Sequence, residues 1–186
     1  DSSTIAEALD EYDSAKQRYN EGIPAHSVEI VVDGGDDMEI AKQILANKAA
    51  GIGTYGSVSV DVPDSFGNSI TIRFNRPQNI YVWLKVAIQK NPSQFMPSNA
   101  EDIVKDAIIA ASKDIKSGDA VLTQDFIGDV RSKCSGIAYI DITACRKDSM
   151  TDIPTDEEYT DRYIYLTKRQ KAIIAKNRIE VEINSD

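Results

Sequence analysis

The sequence predicts an α+β fold of two small domains whose sheets are mostly antiparallel. Helical and strand patterns follow one another in mixed order, not as a repeated β-α-β series. A hairpin pattern ends at Phe74, and a fresh alternating strand begins at Ile80. Pro77 lies between them, and a proline cannot donate a ladder hydrogen bond. We therefore expect a first domain over residues 1–77 and a second over residues 79–186.

The first domain begins with a predicted helix and a predicted strand. Apolar residues at helical spacing predict a helix over residues 3–19. A β-branched run at 28–32 predicts a short strand. Gly34 and Gly35 follow it and predict a turn.

A second helix and a hairpin complete the first domain. Asp36 followed by Glu39 matches a capping box, which predicts a helix that runs to about Lys48. Apolar residues then alternate with polar ones at 57–62 and at 69–74. A turn-rich stretch joins the two runs, so they predict a β-hairpin.

The second domain opens with a long strand and a long helix. Residues 80–89 alternate between two faces, with an aliphatic residue at every second position, and a proline-containing loop over 91–97 follows. Ser98 with Glu101 matches a second capping box and predicts the start of a helix that Gly118 stops. The predicted apolar face of this helix consists of Ile103, Val104, Ala107, Ile108, Ala111 and Ile115.

The rest of the second domain is predicted to be one short helix and three strands. Thr123 is the expected cap of the helix, which carries Phe126, Ile127 and Val130. Residues 171–175 fit a helix and a strand equally well. The strands are expected at 137–145, 162–166 and 179–183.

Composition excludes several classes of function. The chain has 186 residues, of which 41% are hydrophobic, and it carries 30 acids against 21 bases, a net charge of −9. Nucleic-acid binding needs concentrated Lys and Arg, so nucleic acid is not an expected partner. No apolar run approaches the roughly 20 residues that span a bilayer, so no membrane contact is expected. Residues 148–161 hold six acids and no base and predict an exposed loop.

Gly51-Ile52-Gly53-Thr54-Tyr55-Gly56 matches the G-x-G-x-x-G pattern of dinucleotide sites. Such a site needs a strand before the glycines and a helix after them, so that the helix N-terminus faces the pyrophosphate. Here a helix precedes and a strand follows. We therefore expect Gly51, Gly53 and Gly56, like Gly34 and Gly35, to serve as structural turn residues, with no cofactor bound.

No metal site or catalytic cluster is predicted. His26 is the only histidine, and we expect it to cap or pack near the preceding turn. The acids Asp33, Asp36 and Asp37 fit a helix start better than a calcium loop, although a weak calcium site stays an alternative. Cys134 and Cys145 are too few for a disulfide scaffold, although a single bridge between strands is conceivable.

Tyr81 and Trp83 share one face of the predicted long strand. Such a face more often covers a helix, because a sheet usually buries at least one face. It is also the best candidate in this sequence for a ligand-binding surface.

Three segments in order resemble the baseplate J-like proteins of contractile-tailed bacteriophages and prophages. They are Gly22-Ile23-Pro24-Ala25-His26 with the strand to Val32, Gly34-Gly35-Asp36-Asp37 with Ile40-Ala41, and Ala50-Gly51-Ile52-Gly53-Thr54-Tyr55-Gly56. The ending Ile72-Arg73-Phe74-Asn75-Arg76-Pro77 before a long strand is also similar. The resemblance covers residues 22–90 and continues mainly as an order of elements.

The resemblance implies a structural role and no enzymatic activity. It implies a wedge subunit in the tail baseplate of a virion, present in the host cytoplasm during assembly. Expected partners are other baseplate or tail proteins and copies of the chain itself. It also implies that the chain is a C-terminal fragment of a longer protein. A carbohydrate- or ligand-binding module using Tyr81 and Trp83, and a hydrolase built on acidic residues, are the alternatives.

Overall fold

The computed structural model describes residues 22–184, so the helix predicted over residues 3–19 lies outside the described residues. The chain consists of two compact units, residues 1–76 and 77–186. The described part contains three α-helices and nine strands, which confirms the α+β class.

The first unit has one described helix and four strands. In chain order they are β1 Ser27–Glu29, α1 Asp37–Asn47, β2 Gly53–Tyr55, β3 Val58–Pro63 and β4 Ser69–Phe74. Strands β1 and β2 are parallel, and β3 and β4 form the predicted antiparallel hairpin. The strand expected at 28–32 is shorter than predicted, because beyond Glu29 only an isolated bridge from Val31 to Asn75 continues the pairing.

Helix α1 packs its apolar side on the hairpin. Asp36 is its N-cap, and its carboxylate accepts hydrogen bonds from the backbone N–H groups of Met38 and Glu39, at 3.0 and 3.1 Å. The predicted capping box is only half formed, because the Glu39 carboxylate pairs with Lys42 instead of returning to the cap. Among the described residues, the buried cluster of this unit consists of Ala41, Ile44, Val62, Ile72 and Phe74.

The second unit holds the longest strands. Its elements are β5 Gln78–Lys90, α2 Ala100–Ser112, β6 Val121–Leu122, α3 Asp125–Lys133, β7 Ile137–Lys147, a 3-10 turn at Asp156–Glu158, β8 Tyr163–Ile164 and β9 Gln170–Asn184. Strand β5 is central, antiparallel to β7 and parallel to β9. Three of the five ladders in the described chain are antiparallel, as expected.

One face of the β5 sheet forms the main core. The alternation predicted for β5 is confirmed, since its apolar residues are at most 1% exposed: Ile80, Val82, Leu84, Val86 and Ile88. Val104 and Ile108 of α2 and Phe126 and Val130 of α3 belong to the same buried cluster. Both helices therefore cover this face.

Both predicted side-chain caps of the second unit are wrong. Helix α2 has Asn99, not Ser98, at its N-cap, and no side chain bonds there. Helix α3 has Gln124 at its N-cap. Thr123 is instead buried, and its backbone N–H donates to the carbonyl oxygen of Arg162. This hydrogen bond joins residues that are distant in sequence, and because of it Thr123 does not cap α3.

The ends of one helix and of two strands also differ from the prediction. Helix α2 ends at Ser112, well before Gly118. The strand expected at 162–166 is reduced to two residues in β8. The ambiguous stretch 171–175 is strand, and together with 179–183 it forms the single strand β9. A register shift in the middle of β9 hid this continuity, because it breaks the alternation.

None of the described helices combines the length and the apolar character required to cross a lipid bilayer.

Candidate functional site

The stretch 51–56 forms a strand rather than a phosphate loop. Strand β2 lies within it, and the backbone N–H of Gly53 donates to the carbonyl oxygen of His26 at 2.8 Å. Gly51 has φ +80°, which a glycine adopts without strain. Gly53 is therefore not a turn residue, since it pairs within the β1–β2 ladder.

Gly56 serves close approach rather than turn formation. A Cβ built at Gly56 would overlap the backbone carbonyl of Phe74. Phe74 is fully buried at the end of β4. Only a residue without a side chain lets the two backbones meet at this point.

The side chain of Arg76 stabilises the turn at Gly34 and Gly35. Both glycines have positive φ, +69° and +80°. The Arg76 guanidinium donates to the carbonyl oxygens of Gly34 and of Gly35, the latter at 2.9 Å. It also pairs with the carboxylate of Asp37 at 2.5 Å. The turn therefore presents its carbonyl oxygens to an arginine of the same unit.

His26 has a structural backbone role. It is exposed and has φ +56°, which is uncommon for a residue other than glycine. Its carbonyl oxygen receives the Gly53 N–H. Two of the acids considered for a calcium site make contacts within the same unit. Asp36 caps α1, and Asp37 pairs with Arg76. Within residues 22–184 no group of three or more potential metal ligands comes together.

A bulge in β9 builds a site that the sequence did not predict. Val82 is level with Ile174 and Leu84 with Ile179, so residues 175–178 of β9 face the single residue Trp83. Bulges of this kind redirect a side chain out of the ladder.

The redirected side chain is that of Arg178. Its Cζ lies 4.8 Å from the ring centroid of Tyr81 and 6.0 Å from that of Trp83. Arg178 is only 6% exposed. Tyr81 and Trp83 therefore lie side by side as the sequence predicted, but the Arg178 guanidinium lies over their rings. The missed signal is the break of alternation at residues 175–178.

A cavity of about 480 Å³ opens beside this stack, and we call it the Trp83–Arg178 pocket. Its apolar lining includes Ile153, Pro154 and Val181. Its polar lining includes Glu101, Lys105, Asp156, Tyr159, Asn177 and Glu180. Burial raises the pKa of the Tyr159 hydroxyl, so that hydroxyl stays neutral at pH 7.

The acidic segment 148–161 folds back on the same sheet. Lys147 pairs with Asp152 at 3.7 Å and with Glu158 at 2.7 Å, and Lys85 pairs with Asp156 at 3.3 Å. The hydrogen bond from Lys147 lowers the pKa of the Glu158 carboxyl and raises that of the lysine. Half of the six acids thus pair with lysines of β5 and β7, although most of the segment stays exposed as predicted.

A larger cavity of about 830 Å³ lies elsewhere in the second unit, and we call it the acidic groove. Its lining includes the four carboxylates of Asp114, Asp119, Asp125 and Asp129. Tyr163 and Tyr165 also line it and are 55% and 64% exposed. The groove therefore combines negative charge with accessible aromatic area.

The two cysteines are free and buried. Burial raises the pKa of both thiols. Cys134 follows α3, whereas Cys145 lies in β7 level with Trp83. The bridge considered from the sequence is therefore not formed.

No protein-family model and no curated protein matches this chain.

Proposed function

We propose that the chain is an assembly module of a contractile-tail baseplate, located in the virion and acting through contacts with other baseplate proteins and with copies of itself. The observation that carries this proposal is that the segments of the baseplate resemblance hold one another in place. The G-I-P-x-H and G-x-G-T-x-G segments meet where the His26 carbonyl oxygen receives the Gly53 N–H.

The remaining segments are joined in the same way. The Thr54 hydroxyl oxygen accepts a hydrogen bond from the backbone N–H of Arg73 at 2.8 Å. Arg76 reaches the carbonyl oxygens of Gly34 and Gly35. A catalytic motif leaves a reactive group open to a substrate. In these segments the Thr54 hydroxyl and the Arg76 guanidinium instead bind backbone of the same unit, which favours a scaffold.

The acidic groove is the best surface for a partner. Exposed tyrosines are enriched in protein interfaces, because they give large contact area at low entropic cost. Four carboxylates nearby favour a partner with basic side chains. The segment 148–161 is a weaker candidate, since Asp152, Asp156 and Glu158 already pair with lysines of the same unit.

The alternatives receive less support. A sugar ring needs an open aromatic face, and Arg178 lies over the ring of Tyr81. A hydrolase needs a carboxylic acid with a raised pKa to donate a proton. Hydrogen bonds lower the pKa of the Asp64 and Glu158 carboxyl groups, so neither of these two suits that role.

The direct test is immunogold electron microscopy of tail particles from the strain that encodes the chain, with an antibody raised against residues 77–186. Gold at the sheath-proximal end plate of each particle is the expected result, with particles from a deletion strain as the control. Particles that stay unlabelled, or that assemble normally in the deletion strain, would refute the role.

A surface variant tests the groove separately. Tyr165→Ser combined with Asp119→Lys removes one exposed ring and reverses one charge of the acidic groove. Baseplates should then assemble poorly while the chain stays folded. Arg73→Gln, an exposed change in the first unit, is the matched control and should assemble normally.

A further inference from the structure

We propose that the Trp83–Arg178 pocket binds a carboxylate. This site is independent of the proposed role in assembly, because it rests on two residues of the second unit, Trp83 and Arg178, that line one cavity and have donors without acceptors.

Arg178 is the first of these donors. Its Nη1 donates to the carbonyl oxygen of Ile173 at 3.2 Å, its only hydrogen bond to a described residue. No carboxylate of residues 22–184 forms an ion pair with it. A buried guanidinium is costly unless a counter-charge and hydrogen bonds compensate it. Its stacking on Tyr81 and Trp83 holds the fork in one orientation but supplies no acceptor.

Trp83 is the second donor. Its indole Nε1 is fully buried and has no hydrogen-bond partner among the described residues. Buried polar groups in folded proteins are normally paired, so an orphaned N–H requires an explanation. Trp83 lines the same cavity as Arg178.

The Trp83 indole and the remaining N–H groups of Arg178 are all donors, so the missing ligand is an acceptor. A carboxylate suits them best, because a guanidinium offers parallel N–H groups to its two oxygens. A phosphate dianion fits less well, since Glu101, Asp156 and Glu180 also line the cavity and repel a second negative charge.

The ion pairs among the lining residues favour a ligand with a single negative charge. Lys105 is already paired with Glu101 at 2.5 Å. Asp156 is paired with Lys85 at 3.3 Å. Among the described lining residues, Arg178 is therefore the one cation without a carboxylate partner. The apolar lining by Ile153, Pro154 and Val181 suits the carbon chain that carries the carboxylate.

The test uses the intact chain and its only tryptophan. With Trp83 as the sole indole, both its fluorescence and its ¹H–¹⁵N indole resonance report on the pocket alone. The probes are acetate, succinate, a peptide with a free C-terminus and a capped peptide with one internal Glu. The matched negative probes are acetamide, the fully amidated peptide, inorganic phosphate and sodium chloride at equal ionic strength.

The expected result is a saturable fluorescence change with at least one carboxylate and with none of the negative probes. The indole proton should move downfield as it gains an acceptor. The probe that binds most tightly identifies the source of the carboxylate as a chain end, a side chain or a small acid. An absent response, or an equal one from phosphate or chloride, overturns the proposal.

Variants assign the effect to the arginine. Arg178→Gln should weaken binding by roughly tenfold or more, because a charge-assisted hydrogen bond contributes about that much. Arg178→Lys keeps the charge but loses the fork and should also weaken it. Glu180→Gln should tighten binding, because it removes a repelling carboxylate from the lining. Arg73→Gln in the first unit should leave affinity unchanged. The indole titration of the unaltered chain decides the matter if Arg178→Gln does not fold.

Discussion

Gly56 lies directly against the backbone of Phe74, so that a Cβ at position 56 would overlap the Phe74 carbonyl. The last glycine of the G-x-G-x-x-G stretch is therefore required by the packing of the β3–β4 hairpin. It is not required by a phosphate group.

Gly56→Ala should strongly destabilise the first unit. Overpacking against fixed backbone costs about 1–3 kcal/mol of unfolding free energy, and more where the backbone must move. Gly53→Ala is the matched control, because its Cβ would meet the nearest atoms at 3.6 Å, an ordinary contact. Urea unfolding followed by circular dichroism compares them. Equal midpoints for the two variants would contradict this explanation.

The same geometry predicts that the chain binds no nucleotide. The Gly53 N–H already donates to His26, and strand β3, not a helix, follows the glycines. The described elements thus place no helix N-terminus directly after the glycines for a pyrophosphate. Calorimetric titration with NAD, FAD and ATP should give no saturable heat. A micromolar response that Gly53→Ala abolishes would refute this.

Arg76 should contribute more to stability than its surface position suggests. Arg76→Ala removes hydrogen bonds to the carbonyl oxygens of Val32, Gly34 and Gly35. We expect a loss of about 1.5–3 kcal/mol, the range for hydrogen bonds to a charged group. Asp37→Asn removes only an exposed ion pair and should cost less than about 1 kcal/mol.

Arg73→Ala is the matched arginine control. It changes an exposed side chain of β4, and its unfolding midpoint in urea should match that of the unaltered chain. A loss at Arg73 as large as that at Arg76 would mean that charge, and not the turn, is responsible.

Strong local patterns made most of the fold predictable. The five buried residues of β5 alternate without a break, and the β3–β4 hairpin has turn residues between its two runs. Asp36 could be recognised as an N-cap because its bonds reach only three residues along the chain. The caps predicted at Ser98 and Thr123 are wrong, because a capping pattern takes in only neighbouring residues. Thr123 instead pairs with Arg162, which is distant in sequence.

The pocket could be predicted only in part. Alternation placed Tyr81 and Trp83 on one face, whereas Arg178 reaches them only because β9 bulges opposite Trp83. A bulge depends on pairing with a strand about 90 residues earlier, as in the ladder that joins Gln78 to Gln170. The break of alternation at residues 175–178 marks the bulge, but no pattern within one segment tells which strand the bulge faces.

Acid should release the segment 148–161 through Glu158. The hydrogen bond from Lys147 lowers the Glu158 pKa, so this carboxylate contributes stability above its ordinary pKa and loses it as pH falls through the lower folded value. A side-chain NMR titration should place the Glu158 midpoint below that of an unpaired glutamate. Lys147→Met should move it upward, whereas Lys168→Met, which removes an exposed lysine, should not. An unshifted midpoint would mean that the ion pair does not persist in solution.

The two units should unfold independently. Among the described residues, the second unit has an extensive core built on the buried face of β5, whereas the buried cluster of the first unit has five members. A small core gives marginal stability, so the first unit should melt at the lower temperature. Trp83 lies in the second unit and is the only tryptophan, so its fluorescence follows that unit alone.

Gly56→Ala then becomes a probe of coupling between the units. It should lower the first transition seen by circular dichroism and leave the Trp83 fluorescence midpoint unchanged. Phe126→Ala, in the core of the second unit, should cost about 3–5 kcal/mol of unfolding free energy, the range for a buried phenylalanine. It should therefore lower the midpoint seen by Trp83 fluorescence. Residues 1–76 and 77–186 expressed separately should each reproduce the transition of their unit. A Trp83 midpoint that falls with Gly56→Ala, together with an uncooperative 77–186 fragment, would mean that the chain folds as one cooperative body across Pro77.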